Sequence, residues 1–131
     1  NVRNGWLTRH RYIEWSVDGV KNRIREALLE IGVPAGNRGY AYTVELAMEF
    51  YRNPECKTLE AYRKVGSANK TSWEAIERGV RHSFAVARSE KGNPEAAAHY
   101  IGMMHTGVRD SVFHLLNVLE MEEKSEEDSN D

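Results

Sequence analysis

Apolar residues recur along this chain at intervals of three and four, and no stretch alternates convincingly enough to predict a strand. Val17, Val20, Ile24, Ala27, Leu28 and Ile31 share one face, which predicts a first helix over Ser16–Ile31, with Ser16 as its cap. Gly32 ends it and Pro34 blocks its continuation. The run GVPAGNRGYAY reads as a loop, followed by a second helix over Tyr42–Arg52 with Val44, Ala47, Met48 and Tyr51 inward and Asn53-Pro54 closing it. A short third helix over Thr58–Val65 places Leu59, Tyr62 and Val65 on one face. After the turn GSANK, a fourth helix over Ser72–Arg88 buries Ile76, Val80, Phe84 and Ala87, with Trp73 at the rim. Thr71 and Glu74 fit a capping box at its start. Asn93-Pro94-Glu95 opens a fifth helix over Pro94–Ile101, combining a capping side chain, proline at the first position and an acid near the positive end of the dipole. The loop GMMHTG follows, with Met103 and Met104 read as core, and a sixth helix over Arg109–Glu122 turns Val112, Leu115, Leu116 and Leu119 inward. The prediction is an all-α fold of six helices with no internal repeat.

Composition sharpens this in two places. The chain has 131 residues, 40% hydrophobic and 29% charged, which suits one domain with one core. No apolar run approaches the roughly 18 residues a membrane span needs, and no signal-peptide pattern opens the chain. It begins at Asn1 rather than Met, so a fragment with room for a preceding domain is expected. Its one cysteine, Cys56, has no internal partner, which fits a reducing, cytoplasmic setting. The net charge of −2 conceals an asymmetry. Residues 120–131, EMEEKSEEDSND, hold seven acids and one lysine, a sum of −6, which leaves +4 on residues 1–119. Residues 120–131 are therefore expected to be a disordered acidic tail, either solubilising or mimicking DNA. Residues 1–15 form a basic, aromatic arm, with Arg3, Arg9, His10 and Arg11 beside Trp6, Tyr12 and Trp15. Such an arm suits contact with a nucleic-acid backbone and equally suits aromatics packed on the domain with arginines at the rim.

The third and fourth helices, joined by a turn of about four residues, match a helix-turn-helix plan for the domain over residues 16–119. At about 100° per residue, Glu74, Arg78, Arg81, Ala85 and Arg88 lie away from the core face of the fourth helix, flanked by Glu77 and His82. Lys70, Thr71 and Ser72 stand at its start, where free N–H groups and the dipole favour phosphate. Arginine can donate two bonds to guanine, and glutamate can accept from cytosine N4. The same charges also have a plainer use. Glu74–Arg78 and Glu77–Arg81 are i,i+4 pairs in the favourable order, each contributing a few tenths of a kcal/mol to an exposed helix. Other chemistry finds little support. His82, His99, His105 and His114 show no metal-binding spacing, and no catalytic constellation or phosphate-cradling glycine motif occurs. No cofactor, metal or enzymatic activity is expected.

Two stretches carry a likeness. IGVPAGNRGYAY (Ile31–Tyr42) and IERGVRHSFAVA (Ile76–Ala87) resemble the C-terminal DNA-binding domain of the master response regulator of sporulation. That family has Ile-Gly-Val-Pro-Ala, then Lys-Gly-Tyr, and later Val-Glu-Arg-Ala-Ile-Arg-His. Here Ile31–Ala35, Arg38-Gly39-Tyr40 and Ile76–His82 correspond. Ala61–Gly66, Gly92-Asn93 and Tyr100–Gly102 extend the likeness, which covers roughly Asp18 to Leu119. It implies a six-helix bundle that binds a short duplex DNA box, often as tandem copies, and contacts an RNA polymerase sigma subunit. It also implies the output half of a protein whose other half is a phosphorylatable receiver domain. No receiver lies within this sequence. By position, Glu77 becomes a base reader, Arg78 and Arg81 bind bases or phosphates, His82 lies near the backbone, and the sigma-contacting region falls near Val86 to Gly102. Arg88 and the N-terminal arm would add salt-sensitive affinity.

The likeness breaks at Glu74 and Ala75. The family places Ser-Arg there, and that arginine reads a guanine. Losing one such contact removes roughly 1–3 kcal/mol of discrimination. Gly79, inside the helix, costs roughly 1 kcal/mol relative to alanine and allows close packing at its edge of the core face. The sequence thus predicts a sequence-specific regulator of transcription that binds duplex DNA through its fourth helix. The alternative is a protein-interaction module of the same fold that docks on a sigma factor or a regulator and no longer reads DNA.

Overall fold

The computed structural model describes residues 17–104 and 107–130, with side chains described to residue 126 in the last helix. The basic arm, residues 1–15, lies outside the described residues. Six helices follow in order: α1 (Val17–Glu30), α2 (Arg38–Arg52), α3 (Thr58–Ala68), α4 (Trp73–Arg88), α5 (Pro94–Tyr100) and α6 (Val108–Asn130). Among the described residues there is no strand, so the fold is all-α.

Helix α2 runs through the centre. Val44, Leu46, Ala47, Met48 and Phe50 are buried along it, and α1, α3, α4 and α6 all pack against it. Ile24 and Leu28 of α1, Ile76, Val80 and Phe84 of α4, and Val112, Leu115 and Leu119 of α6 complete one continuous core. Burial of each such aliphatic or aromatic side chain stabilises the fold by about 1.5–3 kcal/mol.

The helix ends explain how the elements meet. Gly32, at φ +92°, closes α1: the Val33 N–H reaches the Leu28 carbonyl and the Gly32 N–H the Leu29 carbonyl, both at 3.0 Å. Asn93 then joins α5 to this end. Its side chain accepts from the Ala96 N–H and donates to the Glu30 carbonyl, both at 3.2 Å, while its own N–H donates to the Ile31 carbonyl. Helix α2 begins four residues earlier than its apolar pattern predicts, at Arg38. Gly39 does not break it, because the missing side chain is what brings α2 against α4. A Cβ on Gly39 would collide with Ser83 Oγ and lie 2.8 Å from the Gly79 carbonyl oxygen. Gly79 is the matching half of this crossing, where a Cβ would stand 3.0 Å from the Tyr42 ring.

Two further expectations need correction, and the last helix is longer than its apolar pattern predicts. Helix α6 continues to Asn130, through most of the segment expected as an acidic tail. Acids hold it down. Glu123 is buried, and Glu122 accepts from Arg23 Nη2 at 3.3 Å and from the Tyr100 hydroxyl at 3.2 Å, with His99 Nε2 also at 3.2 Å. Leu59 is exposed, since the inward face of α3 is set by Ala61, Tyr62 and Val65. Met103 and Met104 are 77% and 74% exposed, lying beyond Gly102, whose φ of +84° turns the chain away from the core.

Candidate nucleic-acid interface

Helix α3 ends on a left-handed residue that is not glycine. Lys70 has φ +55°, the Thr71 N–H donates to the Gly66 carbonyl at 2.9 Å, and the Lys70 N–H donates to the Ser67 carbonyl at 3.2 Å. This is the six-to-one closure that usually has glycine at the strained position. Asn69 anchors the turn, its amide donating to Glu45 Oε2 of α2 at 2.9 Å and to the Val65 carbonyl at 2.8 Å. Sequence reasoning passed over Asn69; an asparagine just after an apolar helical run was the signal that could have found it.

Helix α4 starts immediately afterwards. Its cap is Ser72, whose Oγ accepts from the Ala75 N–H at 3.2 Å, so the expected Thr71–Glu74 capping box gives way to a cap one residue later. Trp73 stacks on Tyr62 of α3, with ring centroids 6.3 Å apart and planes within 9°. Burial, and then the nearby Glu77 carboxylate, push the Tyr62 hydroxyl up to about 12. These contacts fix the angle between α3 and α4, and the two helices with their four-residue turn form a helix-turn-helix.

Most of the predicted stripe faces solvent. Glu74, Arg78, Arg81, His82 and Ala85 are exposed, opposite Ile76, Val80, Ser83, Phe84 and Ala87 in the core. Lys70 and Ser72 are exposed at the turn and Thr71 is half-buried. Glu77 and Arg81 form their i,i+4 ion pair at 3.0 Å. No ion pair within 4 Å joins Glu74 to Arg78 among the described residues, so both present free charges. Glu74 lies in the first turn, where the helix dipole favours an acid.

Arg88 does not belong to this face. Its Nε donates to the Gly102 carbonyl at 3.0 Å, and its Nη2 donates to the Ile101 carbonyl and to Ser111 Oγ at 2.9 Å each. Burial lowers its pKa from the usual arginine value. The helical wheel placed it within the stripe, but at the last turn of α4 the neighbouring α5–α6 turn replaces solvent. Arg109 plays a similar part elsewhere. It donates to the Pro54 and Cys56 carbonyls at 2.9 and 2.7 Å, and its guanidinium lies 5.0 Å from the ring centres of Phe50 and Phe113. Sequence reasoning assigned it no role, and its pattern carries no signal for one.

No three His, Cys, Asp or Glu side chains converge as a metal site requires among the described residues, and no helix there is long and apolar enough to cross a membrane. What remains is a helix-turn-helix domain with a mixed, exposed charged face on its second helix. The family profile described as "Sporulation initiation factor Spo0A C terminal" matches residues 24–113, from the middle of α1 into α6. The chain belongs to this family, the C-terminal effector domains of Spo0A-type sporulation regulators, which are DNA-binding regulators of transcription rather than enzymes.

Proposed function

We propose that this domain binds duplex DNA sequence-specifically as a cytoplasmic regulator of transcription, with α4 in the major groove. The observation that carries this reading is the exposed row Glu74, Arg78, Arg81 and His82 on the second helix of the helix-turn-helix, opposite its buried face. Glu77, Arg78 and Arg81 are the main contacts. Arginine suits guanine or phosphate, and Glu77, already holding Arg81 at 3.0 Å, orients that side chain or accepts from cytosine. Lys70, Thr71 and Ser72 take phosphate at the start of α4, and His82 lies toward the backbone. Binding as tandem copies or a dimer, and contact with a sigma subunit through the Val86–Gly102 region, belong to the same proposal.

A gel-shift series on a duplex selected from a random pool tests it. Arg81→Ala should weaken binding by about 1–3 kcal/mol, roughly 5- to 150-fold. Equal binding by wild type and Arg81→Ala would show that the wrong helix has been assigned. One observation favours a second reading: Glu74 places a free acid on the stripe, where DNA would repel it. On that reading the face docks on a protein. Selection then returns no duplex, and a pull-down returns a stable partner.

A further inference from the structure

The face described so far is built from α3, the turn and α4, but a third element reaches it. Backbone contact at Gly39 and Gly79 presses the start of α2 against the middle of α4, along the edge that carries Gly79 and Ser83. His82 follows Gly79 by three residues and so occupies the next row round the helix, beside this edge. Arg38 stands immediately before Gly39. It is exposed, and no ion pair within 4 Å engages it among the described residues. On the opposite edge of α4, the Arg81 guanidinium is already held by Glu77.

We infer that Arg38 is a DNA-backbone contact, gripping a phosphate on the α2 side of the groove that α4 enters. This rests on the reading that α4 lies in the major groove. That groove is about 12 Å wide, and a helix with its side chains is about 10–12 Å across. An element in backbone contact with the inserted helix therefore faces the sugar-phosphate wall rather than the bases. Arginine reaches such a wall with a planar fork of donors that is always charged. Arg38 has no carboxylate to release first, so engaging phosphate costs it only side-chain freedom. The contact carries no sequence information; it fixes the position of α4 and adds salt-sensitive affinity.

Fluorescence anisotropy across a salt series separates this role from simple loss of charge. The proteins are the full chain, Arg38→Gln and Arg52→Gln, the last removing an equally exposed arginine from the far end of α2, about 21 Å away along the helix. The DNAs are the selected duplex and a scrambled one. Arg38→Gln should weaken both complexes several-fold at low salt and make the slope of log affinity against log salt shallower by about 0.9, while Arg52→Gln leaves the slope unchanged. A wild-type slope for Arg38→Gln, with the wild type still binding, overturns the Arg38 assignment and leaves the α4 reading standing. Equal slope changes in the two variants overturn it as well, because net charge alone then accounts for the effect. If the wild type binds no duplex, both readings fall together.

Discussion

Lys70 holds a backbone conformation that costs a residue with a Cβ about 1–2 kcal/mol. Glycine would be the comfortable choice at this helix end. A lysine there gives up stability while placing an ammonium at the start of α4, which is reasonable if it meets phosphate. The two roles separate by substitution. Lys70→Gly should stabilise the fold by about 0.5–1 kcal/mol, read as a higher urea midpoint at unchanged m, since relief of strain exceeds the added freedom of the unfolded chain. The same variant should bind DNA more weakly, with a shallower salt slope. Lys70→Ala should lose binding without gaining stability. A stability gain with undiminished binding would leave the strained lysine without a purpose. Single residues also mark where sequence reading works. The exposure of Arg78, Arg81 and His82 follows from helical phase alone. The strain at Lys70 has no signature in the sequence, because a lysine after an apolar helix is ordinary.

At the scale of elements, helix existence was legible and helix junctions were not. All six helices follow from three- and four-residue spacing and from the punctuation of Gly32, Asn53-Pro54 and Asn93-Pro94. Gly39, by contrast, reads as a loop residue until α4 is laid against it, so α2 was expected to start late. Arg88 teaches the same lesson for the site. Periodicity sees one helix in solvent and assigns its last arginine to the charged face, whereas the fold supplies three acceptors from the α5–α6 turn and α6. Arg88→Ala should therefore act on stability. Two carbonyls and a hydroxyl lose a charged, half-buried donor, at a cost of about 2–3 kcal/mol in a denaturant titration. Arg88→Lys should recover little, because an ammonium does not reproduce the fork. The DNA salt slope should match wild type in both variants. A shallower slope would return Arg88 to the DNA face.

Across the whole molecule, charge and structure are joined through α6. The family match ends at Phe113, yet α6 continues to Asn130 and carries most of the acidic segment with it. Its acids divide by position. Glu122 and Glu123 lie against the domain, where Glu122 meets Arg23, His99 and Tyr100, and the Tyr100 hydroxyl is raised above its ordinary pKa by burial and by the neighbouring carboxylates. Beyond them, Glu126, Glu127 and Asp128 follow in a chain whose residues 1–119 sum to +4. Shortening the chain to residue 119 should produce effects of opposite sign. Loss of the Glu122 contacts should lower stability by about 1–3 kcal/mol, since the buried Tyr100 hydroxyl and the half-buried Arg23 each lose an acceptor. Removing a net charge of −6 should raise DNA affinity at low salt, with the gain fading above about 0.1 M, where the screening length falls to about 10 Å. The full-length variant Glu126→Gln, Glu127→Gln, Asp128→Asn isolates the second effect, because it keeps Glu122 and Glu123 in place. It should retain wild-type stability and still show part of the low-salt gain. If its affinity equals wild type at every salt concentration, the acidic helix serves as a structural strap alone, and charge plays no part in tuning the α4 face.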